Sequence, residues 1–228
     1  KLQGLNAQGQ RDRAYPVLID VSNLIDYILI VMYTGNTDGP TVSNNWYGIR
    51  DRTGERGFHF FAHDFEHSLS RQSADVTRVI TTGNKFHKSN PYWVHQLLLT
   101  HEDYRNQFAA RAISLLRPGG LLSPTVAAQR FQARADELKP AMPAEAARWG
   151  DTLSRRFANR RDLNADAPTY GASPEARRRQ GQPYRYVDWE YAIGWHLTNF
   201  FPQRSMTVIE QLSNMQLVNG QPALLGGF

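Results

Sequence analysis

The sequence predicts a mainly helical α+β domain, on three observations. Apolar residues recur at helical spacing over long stretches toward both ends of the chain. A single pair of short aromatic-rich runs is separated by turn composition. And 228 residues with 41% apolar content are enough to bury a sizeable core. The expectation is one domain over residues 1–228, with 1–14 an upstream remnant, because the chain opens at Lys1 on a polar run with neither Met nor an apolar signal segment.

Taken in order, Ser22 is the expected N-cap of a helix over Asn23–Tyr33. Its apolar residues Leu24, Ile25, Ile28, Leu29, Ile30, Val31 and Met32 nearly encircle it, which places it deep in a core. The apolar window Leu24–Tyr33 is about half the ~20 residues a membrane span needs, so no membrane span is expected. Asp20 and Asp26 flank or interrupt it, where a cap and a core ion pair are the expected roles. Gly35 stops the helix, and Gly39-Pro40 keeps the next segment irregular, which puts Asp38 on a loop directly behind a rigid element.

Trp46–Arg50 and Phe58–Ala62 read as two short strands joined by Asp51-Arg52-Thr53-Gly54-Glu55-Arg56-Gly57. From Asn90 onward the signals are helical. Pro91 suits a first helical position, Thr100 with Asp103 resembles a capping box, and Gly119-Gly120 closes that helix. Ser123-Pro124 opens another, running to about Lys139. Residues 162–184 lack an apolar period and read as a surface excursion. Asp188 is the expected cap of an aromatic helix through Trp189, Tyr191, Ile193, Trp195 and Phe200, which Pro202 breaks before a last helix ending near Met215. The Gly226-Gly227-Phe228 tail reads as frayed.

The net charge of +5 comes mostly from arginine and suits anionic partners such as phosphates. No basic stripe interleaved with stacking aromatics is present, so a nucleic-acid partner is not expected. Zero cysteines exclude a disulfide framework and any thiolate metal site. The runs Arg155-Arg156, Arg160-Arg161 and Arg177-Arg178-Arg179 read more simply as solvated faces than as a substrate cradle. Trp93, Trp149, Trp189 and Trp195, at helical intervals among apolar residues, read as core and helix-packing residues.

The chemistry concentrates in residues 36–67. NTDGPTVSNNW holds an Asp and two Asn, a hairpin follows, and FHFFAHDFEH then supplies a second Asp. In protein kinases an Asp and an Asn on the catalytic loop, then a hairpin and an Asp, provide the base and the metal ligands of phosphoryl transfer. Hard cations take hard oxygens, which Asp64 and an Asn carbonyl offer. In that arrangement Asp38 faces the acceptor hydroxyl, Asn44 or Asn45 holds one ion, and Asp64 bridges ion and nucleotide. Asp and Asn also occur in loops for turn reasons alone, so the spacing by itself is weak. His59, His63 and His67, four residues apart, leave a His-based metal-dependent hydrolase as a further reading, with solvated or hydrogen-bonded histidines as the simpler one.

The segments YPVLIDVSNLIDYILIVMYTGNTDGP, NNWYGIRDR, GFHFFAHDFEHSL, NPYWVHQLLLTHEDYRNQFAARA, EAARWGD and NFFPQRSMTVIEQL resemble the CotH family of spore-coat-type kinases, in order, from about Tyr15 to Leu217. The resemblance implies an atypical protein-kinase-like fold that uses ATP with Mg2+ or Mn2+ to phosphorylate Ser or Thr of protein substrates, in a secreted or spore-surface setting. It places the catalytic Asp on Asp38, the following Asn on Asn44 or Asn45, and the metal-binding Asp on Asp64. Glu66 and His67 complete the HDFEH string as a further ligand, or as groups organising the segment after Asp64. The family's strand-built upstream lobe, with its phosphate-contacting Lys, has no counterpart before Asp20. The expectation is therefore a C-terminal lobe portion with one β-hairpin, whose turnover needs that upstream lobe. A non-catalytic surface or adhesion module on the same scaffold is the alternative from another class.

Overall fold

The computed structural model describes residues 1–40, 45–78, 90–158, 183, 185–217, 219–220 and 222–223, with 151–158 as backbone. Asn44, nearly all of the expected excursion at 162–184, the arginine runs from Arg160 onward and the Gly226-Gly227-Phe228 tail lie outside the described residues. The chain forms two compact units. The first comprises Lys1–Ser68, Asp75–Ser114 and Val208–Phe228, the second Leu69–Ala74 and Leu115–Thr207.

The first unit is organised on α1 (Val21–Thr34), in which Leu24, Ile28, Val31 and Met32 are fully enclosed. Each such side chain contributes about 1.5–3 kcal/mol of burial, so α1 is the main apolar anchor of the unit. Its N-cap is Asp20, not Ser22: Asp20 Oδ1 accepts from Asn23 N at 2.9 Å, while Ser22 is exposed in the first turn. The reason lies outside the helix. Asp20 N donates to Phe58 O (3.1 Å), which holds residue 20 in the extended conformation an N-cap needs. Gly35 is the left-handed C-cap, at φ 61°. Asp26 pairs with Arg111 through two bonds of 2.6 and 2.9 Å, but on a half-exposed surface instead of in the core, and this partner pushes the Arg111 guanidinium pKa up.

Strands β1 (Trp46–Ile49) and β2 (His59–Ala62) form the expected antiparallel hairpin, in register from Trp46↔Ala62 to Ile49↔His59. Asn23 fastens β2 to α1: its Oδ1 accepts from Phe60 N (2.6 Å) and its Nδ2 donates to Phe60 O (3.3 Å). Gly57 lets the chain pass this close, because a Cβ there would sit 2.4 Å from Ile19 N. Phe60 points inward toward Tyr27, with ring centroids 6.1 Å apart, and burial raises the Tyr27 hydroxyl pKa.

Helix α2 (Pro91–Leu98) begins as the sequence predicts, with Asn90 Oδ1 accepting from Tyr92 N (2.8 Å) and Pro91 at the first position. The Thr100–Asp103 capping box does not form. Thr100 Oγ1 donates back to Leu97 O (2.7 Å), and α3 (Glu102–Leu116) starts with the acids Glu102 and Asp103 in its first turn. The buried His95 of α2 meets the Tyr104 hydroxyl of α3 through Nδ1 at 2.8 Å and packs tilted against Phe108, with ring centroids 4.9 Å apart. Burial pushes the His95 imidazole down to about 3 and raises the hydroxyls of Tyr92 and Tyr104.

The second unit holds α4 (Pro124–Leu138), α5 (Met142–Ala158), α6 (Tyr186–Trp195) and a π-helical turn (His196–Phe200). That turn runs into α7 (Phe201–Ser213), whose last residues belong to the first unit. Three expectations are corrected here. Arg185, not Asp188, is the N-cap of α6; Asp188 sits inside the first turn and accepts from Arg185 N (2.9 Å). Pro202 does stand at the start of the last helix, α7, but the two helices are not separated: a π turn joins them, with Phe201 N reaching back to His196 O. The tryptophans are not core: Trp93, Trp189 and Trp195 are half-buried and Trp149 is 45% exposed, because indoles cover the shoulders of these helices while smaller residues fill the interior. Among the described residues, no helix is long and apolar enough to cross a membrane.

Candidate functional site

Asp38 lies on the turn directly after α1, so the most deeply packed helix of the first unit sets its position. Two residues earlier, Asn36 N continues the helix cap by donating to Val31 O (3.2 Å), and Asn36 Oδ1 accepts from Asp38 N at 2.9 Å. The backbone of Asp38 is therefore held while its half-exposed carboxylate reaches outward. Asn90, the cap of α2, braces the far side of the same loop by donating to Pro40 O (2.7 Å).

The hairpin delivers Asn45 to this carboxylate: Asn45 Nδ2 donates to Asp38 Oδ2 at 3.2 Å. Beyond β2 the chain returns to the loop, where Thr37 N donates to His67 O (3.3 Å) and His67 Nε2 lies 3.9 Å from Asp38 Oδ2. Glu66 Oε1 is 3.7 Å from the same imidazole nitrogen. Asp38, Asn45, Glu66 and His67 thus form one chain of contacts, although 28 positions separate Asp38 from Glu66 (66 − 38).

Asp64 sits three residues before His67 in the returning segment, with an exposed side chain that makes no hydrogen bond or ion pair among the described residues. Its backbone is the notable feature. Asp64 (φ 54°), Asn45 (φ 60°) and Leu69 (φ 58°) are the non-glycine residues with positive φ among those described, and two of the three are sequence candidates. Asp and Asn enter this region more readily than other residues, and such conformations gather where a side chain must be aimed.

The three histidines of the four-residue series do not converge. His59 Nε2 pairs with Asp20 Oδ2 at 3.0 Å, His63 packs edge-on against Tyr47 at 4.5 Å between centroids, and His67 faces Asp38 and Glu66. No group of three or more His, Asp or Glu placed to hold a metal ion occurs among the described residues. A self-contained histidine centre is therefore not what this spacing builds, since a strand and a turn send the three rings in different directions. Asp38 and Glu66 carry carboxylate oxygens, a type Mg2+ takes from a protein, while Asn45 turns its Nδ2 to Asp38, and Asp64 shares no hydrogen bond or ion pair with them among the described residues.

Sequence reasoning passed over two residues: Asn36, which fixes the backbone of Asp38, and His95, the enclosed imidazole of α2. An Asn two positions before an Asp, immediately after a C-cap glycine, is the signal that could have found the first. No sequence signal marked the second.

No curated protein and no solved structure matches the chain. The family model described as CotH, CotH kinase protein, matches residues 2–179, which contain α1, the Asp38 loop, the hairpin, the HDFEH segment and α2 to α5. That is well over half of the chain, and its candidate residues fall inside the match. The chain belongs to the CotH kinase protein family.

Proposed function

We propose that this chain carries the phosphoryl-transfer site of a protein Ser/Thr kinase dependent on ATP and Mg2+ or Mn2+. The observation that carries the reading is the closure of the HDFEH segment onto the Asp38 loop through Thr37 N and His67 O, with Asn45 brought to the same carboxylate. This is the sequence order Asp, Asn, hairpin, Asp, folded back on itself.

Asp38, half-exposed on a loop anchored to α1, accepts the proton of an acceptor hydroxyl as that oxygen attacks the γ-phosphorus. The bond from the γ-phosphorus to the β,γ-bridging oxygen breaks, and ADP leaves with the electron pair. Asn45, or its neighbour Asn44, and Asp64 supply the oxygens that hold the divalent cation, which when bound neutralises charge on the transferring phosphate. Asn45 also donates to Asp38 and orients its carboxylate. His67 stands between Asp38 and Glu66 and links the two acids. The family's name supports a kinase and spore-coat setting. The protein hydroxyl substrate and the secreted or surface location belong to the proposal.

The test, run on the full-length protein with its upstream lobe, is transfer of labelled phosphate from ATP to a Ser/Thr-containing polypeptide, with Asp64→Ala measured beside the parent. The expected result is metal-dependent labelling that falls by about 100-fold or more in the variant, as for loss of a group that stabilises transition-state charge. Equal labelling by both proteins removes Asp64 from the reaction.

A further inference from the structure

Asn36 combines features that stability alone does not explain. It is fully enclosed, and its carboxamide spends one atom on Asp38 N (2.9 Å), while its Nδ2 is buried without a hydrogen-bond partner among the described residues. A buried donor left unsatisfied is a desolvation cost that an apolar residue at this position would avoid. The packing around it is equally specific: a Cβ on Gly39 would lie 3.2 Å from both Cγ and Oδ1 of Asn36. The loop is thus shaped around one amide, and that amide's single bond goes to the backbone of Asp38.

We infer that Asn36 is a positioning residue for Asp38: it sets the aim of the carboxylate through the Asp38 N–H and touches neither substrate nor cofactor. The inference rests on Asp38 being the base proposed above. Asn36 N is itself tied to Val31 O (3.2 Å), so the side chain transmits the rigidity of α1 to the loop. Losing the bond frees Asp38 to sample other rotamers and loop conformations, which lowers the fraction of productive geometry. Binding of nucleotide and acceptor would be little changed, so the effect belongs to kcat and not to KM.

Two variants of nearly equal size separate this role from simple packing. Asn36→Ala removes the acceptor, while Asn36→Ser keeps a hydroxyl that can accept from the same N–H two residues on. Both leave a similar cavity, so the difference between them isolates the hydrogen bond. Amide exchange at Asp38 and steady-state phosphoryl transfer are measured on both, with Asp38→Asn as reference. The expected result is exchange at Asp38 about 10-fold faster in Asn36→Ala than in Asn36→Ser, and a kcat about 10-fold lower at equal KM. Equal exchange and equal kcat in the two variants overturn the inference, as does a loss confined to KM. If Asp38→Asn retains full transfer, the proposed function has failed and this role with it. If Asp38→Asn is inactive while the Ala and Ser variants match, only the role of Asn36 falls.

Discussion

Replacing Asp38 by asparagine is expected to lower the rate of phosphoryl transfer by about 10²- to 10⁴-fold, the usual contribution of a positioned base. The side chain keeps its size and its place beside Asn45 Nδ2, but loses the charge that accepts the hydroxyl proton. Folding should change little, because Asp38 is held through its backbone N–H by Asn36 and its carboxylate is half-exposed. Nucleotide affinity should change little as well, since the metal ligands assigned here are Asn44 or Asn45 and Asp64. A variant with unaltered unfolding midpoint and unaltered ATP affinity, yet without turnover, matches this account. A fully active variant contradicts it.

The second large effect concerns acid stability and arises at His95. This imidazole is enclosed with Tyr104 and Phe108, and burial pushes it down to about 3. In the unfolded chain it protonates near its ordinary value of about 6.5. Below that pH the unfolded state takes up a proton that the folded state takes up only near 3. The stability contributed by the neutral buried ring is therefore complete above about pH 6.5 and is lost as pH falls, at roughly 1.4 kcal/mol per pH unit. By pH 4 the loss is on the order of 3 kcal/mol, a large share of the 5–15 kcal/mol typical of a domain. His95→Gln retains a hydrogen-bonding partner for Tyr104 without a titrating group. Urea unfolding of both proteins from pH 7.5 to pH 4 should show the parent losing stability faster, so that any advantage it holds at neutral pH narrows or inverts. Parallel profiles would show that His95 is not the source of the acid sensitivity.

Much of the local frame around the candidate site was legible because its determinants lie close together in the chain. Gly35 after an apolar helix and Gly39-Pro40 beyond it placed Asp38 on a loop, and the aromatic runs around residues 51–57 marked the hairpin. These signals act over a few residues, and tertiary packing did not override them. Ser22 was the expected N-cap of α1, with Asp20 also given a cap role, and both are competent caps; Asp20 takes the position. The decision fell to a contact with Phe58, 38 positions away (58 − 20), which no local rule contains. The join before Pro202 was illegible for a related reason: a π turn carries α6 into α7, and that turn has no distinctive composition. The contact of His67 with the Asp38 loop is likewise non-local. From spacing alone the pair Asp38 and Asp64 was only suggestive, and agreement of several ordered motifs gave it weight. His95 shows the opposite limit: a polar residue within an aromatic run carries no mark of whether it faces the core or water.

The proposed function requires that Asp64 and Asn45, or its neighbour Asn44, hold one cation bound with the nucleotide, next to the base Asp38. The direct measurement is a titration of the isotope-labelled protein with Mn2+ and ATP, following paramagnetic broadening of the backbone amides of Asp38, Asn45 and Asp64 together with the Asn45 side-chain amide. The account predicts that all of them broaden together, at the same low metal fraction, and only when ATP is present. Broadening at Asp64 while Asp38 and Asn45 stay sharp, or broadening that ignores ATP, would contradict it.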